Sequence, residues 1–196
     1  MKTLAEHMAF YGCYHCDRRN RLTHFFGVPA IIFAVLIPLS LGEVTLGGIG
    51  ATPAMIWAAV MALYYMTLDI AIGLAMAALF VPLLLAAGSI SALGTLPALS
   101  ICAVVFIVGW IVQLIGHRFE GNKPALTANL FQTVVSPIFL TAELFFALGF
   151  KRHLQREVER RIVTRDFPGA ITPKVPRKLG DASLPPRQRR GQRQKP

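Results

Sequence analysis

From Leu22 to His117 the chain has no lysine and no arginine, and only two acids, Glu43 and Asp69. A soluble domain carries about a quarter of its residues as charges. Here the whole 196-residue chain is 15% charged and 54% hydrophobic, which excludes an ordinary soluble fold. Cysteine is scarce too, with three residues. Cys13-Tyr-His-Cys16 has no second C-x-x-C to join it, so one chain cannot build a four-cysteine zinc site. Nothing suggests a disulfide framework, and Cys102 lies in an apolar run as a small buried residue would. The first 24 residues lack an unbroken apolar core, so an ordinary secretory signal is not expected. No internal repeat is present.

What the chain does have is apolar runs. They cover Phe25–Leu41, Ala54–Thr67, about Ile70–Ile90 and Ala98–Gly116. A helix needs about 20 residues to cross a bilayer core. A fifth run, Thr127–Phe150, carries Asn129, Gln132, Ser136 and Glu143 and contains Pro137. Such polar groups are costly in lipid, so this run should face protein, water or the interface. The expected fold is an all-α integral membrane protein. It has about four transmembrane helices, a fifth apolar segment broken at Pro137, and a disordered basic C-terminal tail. Residues 1–150 form the polytopic membrane domain and 151–196 the tail, helical over Lys151–Arg165 and then Pro/Arg-rich.

Charge sets the topology. Residues 151–196 hold 14 Lys and Arg against 4 Asp and Glu, whereas residues 1–150 balance at 6 of each. The net charge of +10 therefore belongs to the tail. In a membrane protein it marks the cytoplasmic side and anionic lipid, and no nucleic-acid partner is expected. Arg18, Arg19 and Arg21 flank the first run, so both termini are placed in the cytoplasm. Four crossings then return the chain to that side. His117 lands on the same face as His15 and His24.

Three imidazoles at one face suit a metal, since neutral histidine is the commonest metal ligand. Iron(II) oxygenases often combine histidines with one carboxylate, and Glu120 follows His117 at i+3. His15 and His24 are nine residues apart, on opposite faces of any continuous helix. They converge only if the helix breaks between them. Asn20 and His24, at i and i+4, share a face. The plainer alternative is that these are interfacial histidines making ordinary hydrogen bonds. Arg118 and Lys123 are then charge anchors. Asp69 reads as a cap at a span end, and Glu143 is the acid within an apolar segment that invites a functional reading.

At these same residues the chain resembles the membrane-embedded 2-hydroxy fatty acid dioxygenases, typified by the fungal protein of phytosphingosine breakdown and its bacterial relatives. One block holds Tyr14-His15, Asn20, His24 and Val28-Pro29. A second runs from Gly109 to Leu126, with His117, Phe119-Glu120 and Pro124-Ala125-Leu126. A weaker third passes through Asn129-Leu130, Gln132, Pro137 and Glu143 to Gly149-Phe150. The likeness spans about residues 10–150. In the fungal type the stretch between the histidine and the Phe-Glu pair is longer than the single Arg118 here. Cys13, Cys16 and the basic tail have no counterpart in the pattern.

The resemblance implies an Fe(II)-dependent dioxygenase of fatty acid α-oxidation and sphingoid base catabolism. Its substrates are a long-chain 2-hydroxy fatty acid and O2, and its products are the one-carbon-shorter acid and CO2. His15, His24 and His117 carry over as the essential histidines, with Glu120 as a further metal ligand. Asn20, Arg118 and Lys123 are the substrate-side polar groups. The expected setting is a bacterial inner membrane, with endoplasmic reticulum as the alternative. A second hypothesis is a non-enzymatic membrane scaffold or lipid-binding protein that recruits partners through its basic tail. Tail deletion separates the two, since it abolishes the function of the scaffold but not of the enzyme.

Overall fold

The computed structural model describes residues 3–12, 15, 17–120 and 132–164, with Leu46, Ile49, Glu120 and Gln132 as backbone only. In order the elements are α1 (Leu4–Gly12), α2 (Arg18–Leu39), β1 (Val44–Leu46), β2 (Ile49–Ala51), α3 (Pro53–Leu68), α4 (Ile70–Ser91), α5 (Thr95–Glu120), α6 (Gln132–Ala147) and α7 (Arg152–Thr164). The architecture is all-helical apart from the short antiparallel β1–β2 hairpin. Its two-residue turn is Gly47-Gly48, both at positive φ, as such turns require.

α2, α4 and α5 are each long and apolar enough to cross a membrane. The bent pair α6–α7 makes a fourth candidate if it counts as one span. α3 has 16 residues. That is about 24 Å of helix, short of a hydrocarbon core of roughly 30 Å.

Local chemistry sets the helix limits. The Asp17 carboxylate accepts the Arg19 N–H at 2.7 Å and caps α2. Composition alone starts the first span at Phe25 and puts Pro29 near its beginning. The Asp17 cap moves the start to Arg18, so Pro29 sits well inside the helix. Thr52 caps α3 through the Met55 N–H, with Pro53 in the first turn where its missing N–H costs nothing. Asp69 is a cap as expected: its side chain accepts the Ile72 N–H at 3.1 Å and opens α4.

The expected break at Pro137 does not occur. α6 runs through it. Pro137 removes one i→i−4 hydrogen bond, and the helix continues on both sides of it. The chain turns later instead. α6 and α7 meet at 118°, across Gly149 (φ 84°) and Lys151 (φ 53°).

α2 to α5 alternate in direction. At one end the Ser91 hydroxyl donates to the Ile37 carbonyl at 2.8 Å. At the other, the Tyr65 hydroxyl donates to the Val134 carbonyl at 2.9 Å. Both ends of α6 stay at that second end, because Lys151 just beyond it pairs with Asp69 at 2.7 Å. Met8, Tyr65, Met76, Phe80 and Ile138 form the main core between α1, α3, α4 and α6. α7 packs on α1 through Val158 and Ile162. Leu96, Phe106, Ile107, Ile111 and Leu114 on α5 are exposed, as a lipid-facing helix requires.

α2 packs closely on α5, and glycine makes the approach possible. A Cβ on Gly27 would lie 2.6 Å from Gln113 Cγ, and one on Gly109 2.9 Å from Ile31 Cγ1. A Cβ on Gly116 would collide with Thr23 Oγ1 and lie 2.6 Å from Asn20 Oδ1. Apolar burial gives helices little reason to associate in lipid, so such close packing matters more there. It also sets how near His24 on α2 comes to His117 on α5.

Candidate metal centre

His24 lies in the second turn of α2, His117 in the last turn of α5, and His15 in the link between α1 and α2. The break between Gly12 and Arg18 answers the periodicity problem, since one continuous helix would hold His15 and His24 apart. The His15 N–H donates to the Gly12 carbonyl at 3.1 Å and turns the link back on α1. All three histidines are buried, at 3%, 2% and 7% exposure. One ring nitrogen from each lies within 4.8 Å of the others. The rings stand edge to face, with centroids 4.5, 5.1 and 4.9 Å apart.

Hydrogen bonds decide which nitrogens are basic. His15 Nδ1 lies 2.9 Å from the Tyr11 carbonyl, and His24 Nδ1 lies 2.9 Å from the Asn20 carbonyl. A carbonyl only accepts, so both Nδ1 atoms carry the proton. Each Nε2 is then a lone pair. The two Nε2 atoms face each other at 3.2 Å, where neither can donate. His117 Nδ1 is buried with no hydrogen-bond partner among the described residues. Converging lone pairs shielded from water fit a cation, and backbone carbonyls holding the opposite nitrogens are what metal-ligating histidines usually have. A borderline divalent transition metal suits this nitrogen set. Burial, and then the neighbouring His24, hold the His15 imidazole well below its ordinary value near 6.5. It is neutral at pH 7, as a ligand must be.

The surroundings are built from α1 and α6. The Tyr11 ring stacks on His15, and Phe139 tilts against both. Arg21, one turn before His24, pairs with Glu143 of α6 at 2.9 Å. Glu143, the acid in an apolar run, thus ties α6 to α2 and does not join the histidines. Asn20 is fully buried beside Gly116, and its carbonyl also accepts the Thr23 hydroxyl at 2.7 Å.

Among the expected site residues, the structure brings His15, His24, His117 and Asn20 together. Arg118 is exposed beyond the cluster. The Glu120 side chain, Lys123, Cys13, Cys16, the Tyr14 and Asn129-Leu130 matches and the tail beyond residue 164 lie outside the described residues. Among the described residues no carboxylate joins the three imidazoles. Sequence reasoning missed Tyr11, Ser136 and Phe139. Tyr11 lies four residues before His15, a helical spacing that offers a hint. Ser136 is one of the polar residues of the fifth apolar run expected to face protein, water or the interface; nothing local marks Phe139.

The fold and centre define a class: a helical protein with apolar, membrane-length helices and a buried three-histidine site at one end of the bundle. Comparison makes this specific. A family model described as "2-hydroxy-palmitic acid dioxygenase Mpo1-like" matches residues 1–148. The chain is 32% identical over 158 residues to the 2-hydroxy-palmitic acid dioxygenase MPO1 of Saccharomyces cerevisiae, covering 80% of this chain and 87% of that protein. The chain belongs to the Mpo1-like family. No solved structure matches it.

Proposed function

We propose that the chain is an Fe(II)-dependent dioxygenase that shortens a long-chain 2-hydroxy fatty acid by one carbon. The observation that carries this reading is the pair of facing His15 and His24 Nε2 atoms beside the buried, unpartnered His117 Nδ1. The relative's name supplies the reaction class. The overall conversion balances without a further reductant: hydroxy acid plus O2 gives the shorter acid, CO2 and water. The acid gives up four electrons and O2 takes four.

His15, His24 and His117 would hold the iron, which supplies O2 activation and polarises the hydroxy-carboxylate when bound. The chain's own residues prepare that site. The Tyr11 and Asn20 carbonyls fix the imidazole tautomers. Burial of the three rings excludes bulk water. Arg118, exposed past His117, steers the substrate carboxylate towards the site. Asn20 and Lys123 are further substrate-side polar groups, and Glu120 is a further metal ligand. The acyl chain stays in lipid along the apolar faces of the bundle.

The topology follows the same reading. α2, α4 and α5 cross the membrane, the shorter α3 carries the chain back between α2 and α4, and α1, α6 and α7 lie at the histidine end. Both termini and the site face the cytoplasm, with the basic segment from residue 151 against anionic lipid. The test is direct. Purified protein with Fe(II), O2 and 2-hydroxypalmitate should yield pentadecanoate and CO2. His117→Ala should yield neither. Absence of product from folded, iron-loaded protein rejects the reaction.

A further inference from the structure

His15 differs from the other two histidines in having no helix beneath it. Its ring is held from outside. Tyr11 holds it twice, by its carbonyl on Nδ1 at 2.9 Å and by its ring. The two rings stack with centroids 4.0 Å apart and planes 4° from parallel.

Tyr11 is itself fixed from α6. Its hydroxyl bonds to Ser136 Oγ at 2.6 Å, a contact between residues 125 apart in sequence. Both residues are buried, Tyr11 at 3% and Ser136 at 7% exposure. A buried hydroxyl without a partner is costly, so each of these two holds the other in place. Phe139, nearly one turn beyond Ser136, packs at the edge of the stack, its ring 4.6 Å from Tyr11 and 6.3 Å from His15. Burial pushes the Tyr11 phenol up, so the hydroxyl pair stays neutral. α6 contributes no described ligand, yet its Ser136 and Phe139 both touch the ring that stacks on His15.

We infer that Ser136 is a positioning residue for His15, acting through Tyr11: the buried hydroxyl pair fixes the phenol ring, and the stacked phenol ring fixes the imidazole. This rests on the metal-site reading above. Metal sites lose affinity when groups that orient a ligand are removed, typically by about 10- to 100-fold.

The test uses the full-length protein in detergent and cobalt(II) alone as probe, because its visible absorption reports ligand geometry. Tyr11→Phe and Ser136→Ala each keep the stack but remove the hydroxyl pair. Each should weaken cobalt binding about tenfold and shift the absorption band. The double variant should be no worse than either single one, because both remove the same bond. Ser136→Thr keeps a hydroxyl and should restore affinity and spectrum. Tyr11→Leu removes the stack and should lose more than Tyr11→Phe. If Tyr11→Phe and Ser136→Ala bind cobalt with wild-type affinity and spectrum, and only thermal stability falls, the pair is core packing and the inference is wrong. Wild-type cobalt binding by His117→Ala is a separate outcome: it removes the histidine site itself.

Discussion

His15 Nε2 and His24 Nε2 face each other at 3.2 Å, although each has its proton on the opposite nitrogen, committed to a main-chain carbonyl. Two lone pairs in that position repel unless a cation lies between them. His15→Gln places an amide donor opposite His24. In metal-free protein this change should cost less than about 1 kcal/mol, because the new hydrogen bond offsets the lost packing. Metal-induced stabilisation should vanish with it. For the wild type that stabilisation is about 2.7 kcal/mol at a hundredfold excess over Kd. Unfolding in detergent, with and without Fe(II), measures both.

The close contact of α2 and α5 is sharply placed. Gly116→Ala puts a methyl group onto Thr23 and Asn20 and should move His117 away from His24. Metal affinity should fall at least tenfold. Gly88 lies inside α4 with open space around it, so Gly88→Ala should leave affinity unchanged. It should add up to about 1 kcal/mol of helix stability. Equal effects at the two glycines would contradict the packing account.

Arg21 and Glu143 join α2 to α6 at the site end. Their side chains are 36% and 25% exposed, so solvent screening limits the pair. Arg21→Glu or Glu143→Arg alone should destabilise by roughly 0.5–1 kcal/mol. The reversed double variant should recover most of that. A double variant as unstable as the sum of the singles would show that the pair is not coupled.

α7 carries its own pH signature. Hydrogen bonds from Arg160 and then Arg161 hold the half-buried Glu157 carboxyl down at about 2, below its ordinary 4.5. A carboxyl lowered on folding contributes stability that is complete above the unfolded value. It is lost as pH falls from 4.5 through 2. Amide exchange protection in α7, corrected for intrinsic rates, should be flat from pH 7 to 5 and decline below 4.5. Glu157→Gln should remove that decline.

The helix layout was largely legible, because long uncharged runs leave little choice of structure. Four apolar runs became α2 to α5, and Asp69 proved to be a cap. The errors were local. The Asp17 cap begins α2 seven residues before the apolar run, and Pro29, expected near the start, lies well inside the helix. Pro137 did not break α6, which continues on both sides of it. At the site, the three histidines stood out by type and topology. Their tautomers did not, because these depend on carbonyls at Tyr11 and Asn20. The contact of Tyr11 with Ser136 was hidden for a stronger reason. It joins residues 125 apart, and only tertiary packing places them together.

The proposed function turns on whether His15, His24 and His117 hold a metal. Anaerobic titration of the purified full-length chain with Fe(II), followed by metal counting after desalting, tests this most directly. The predicted result is about one iron per chain for the wild type and none for His15→Ala, His24→Ala or His117→Ala. Retained stoichiometric iron in all three variants, or no iron in the folded wild type, would contradict it.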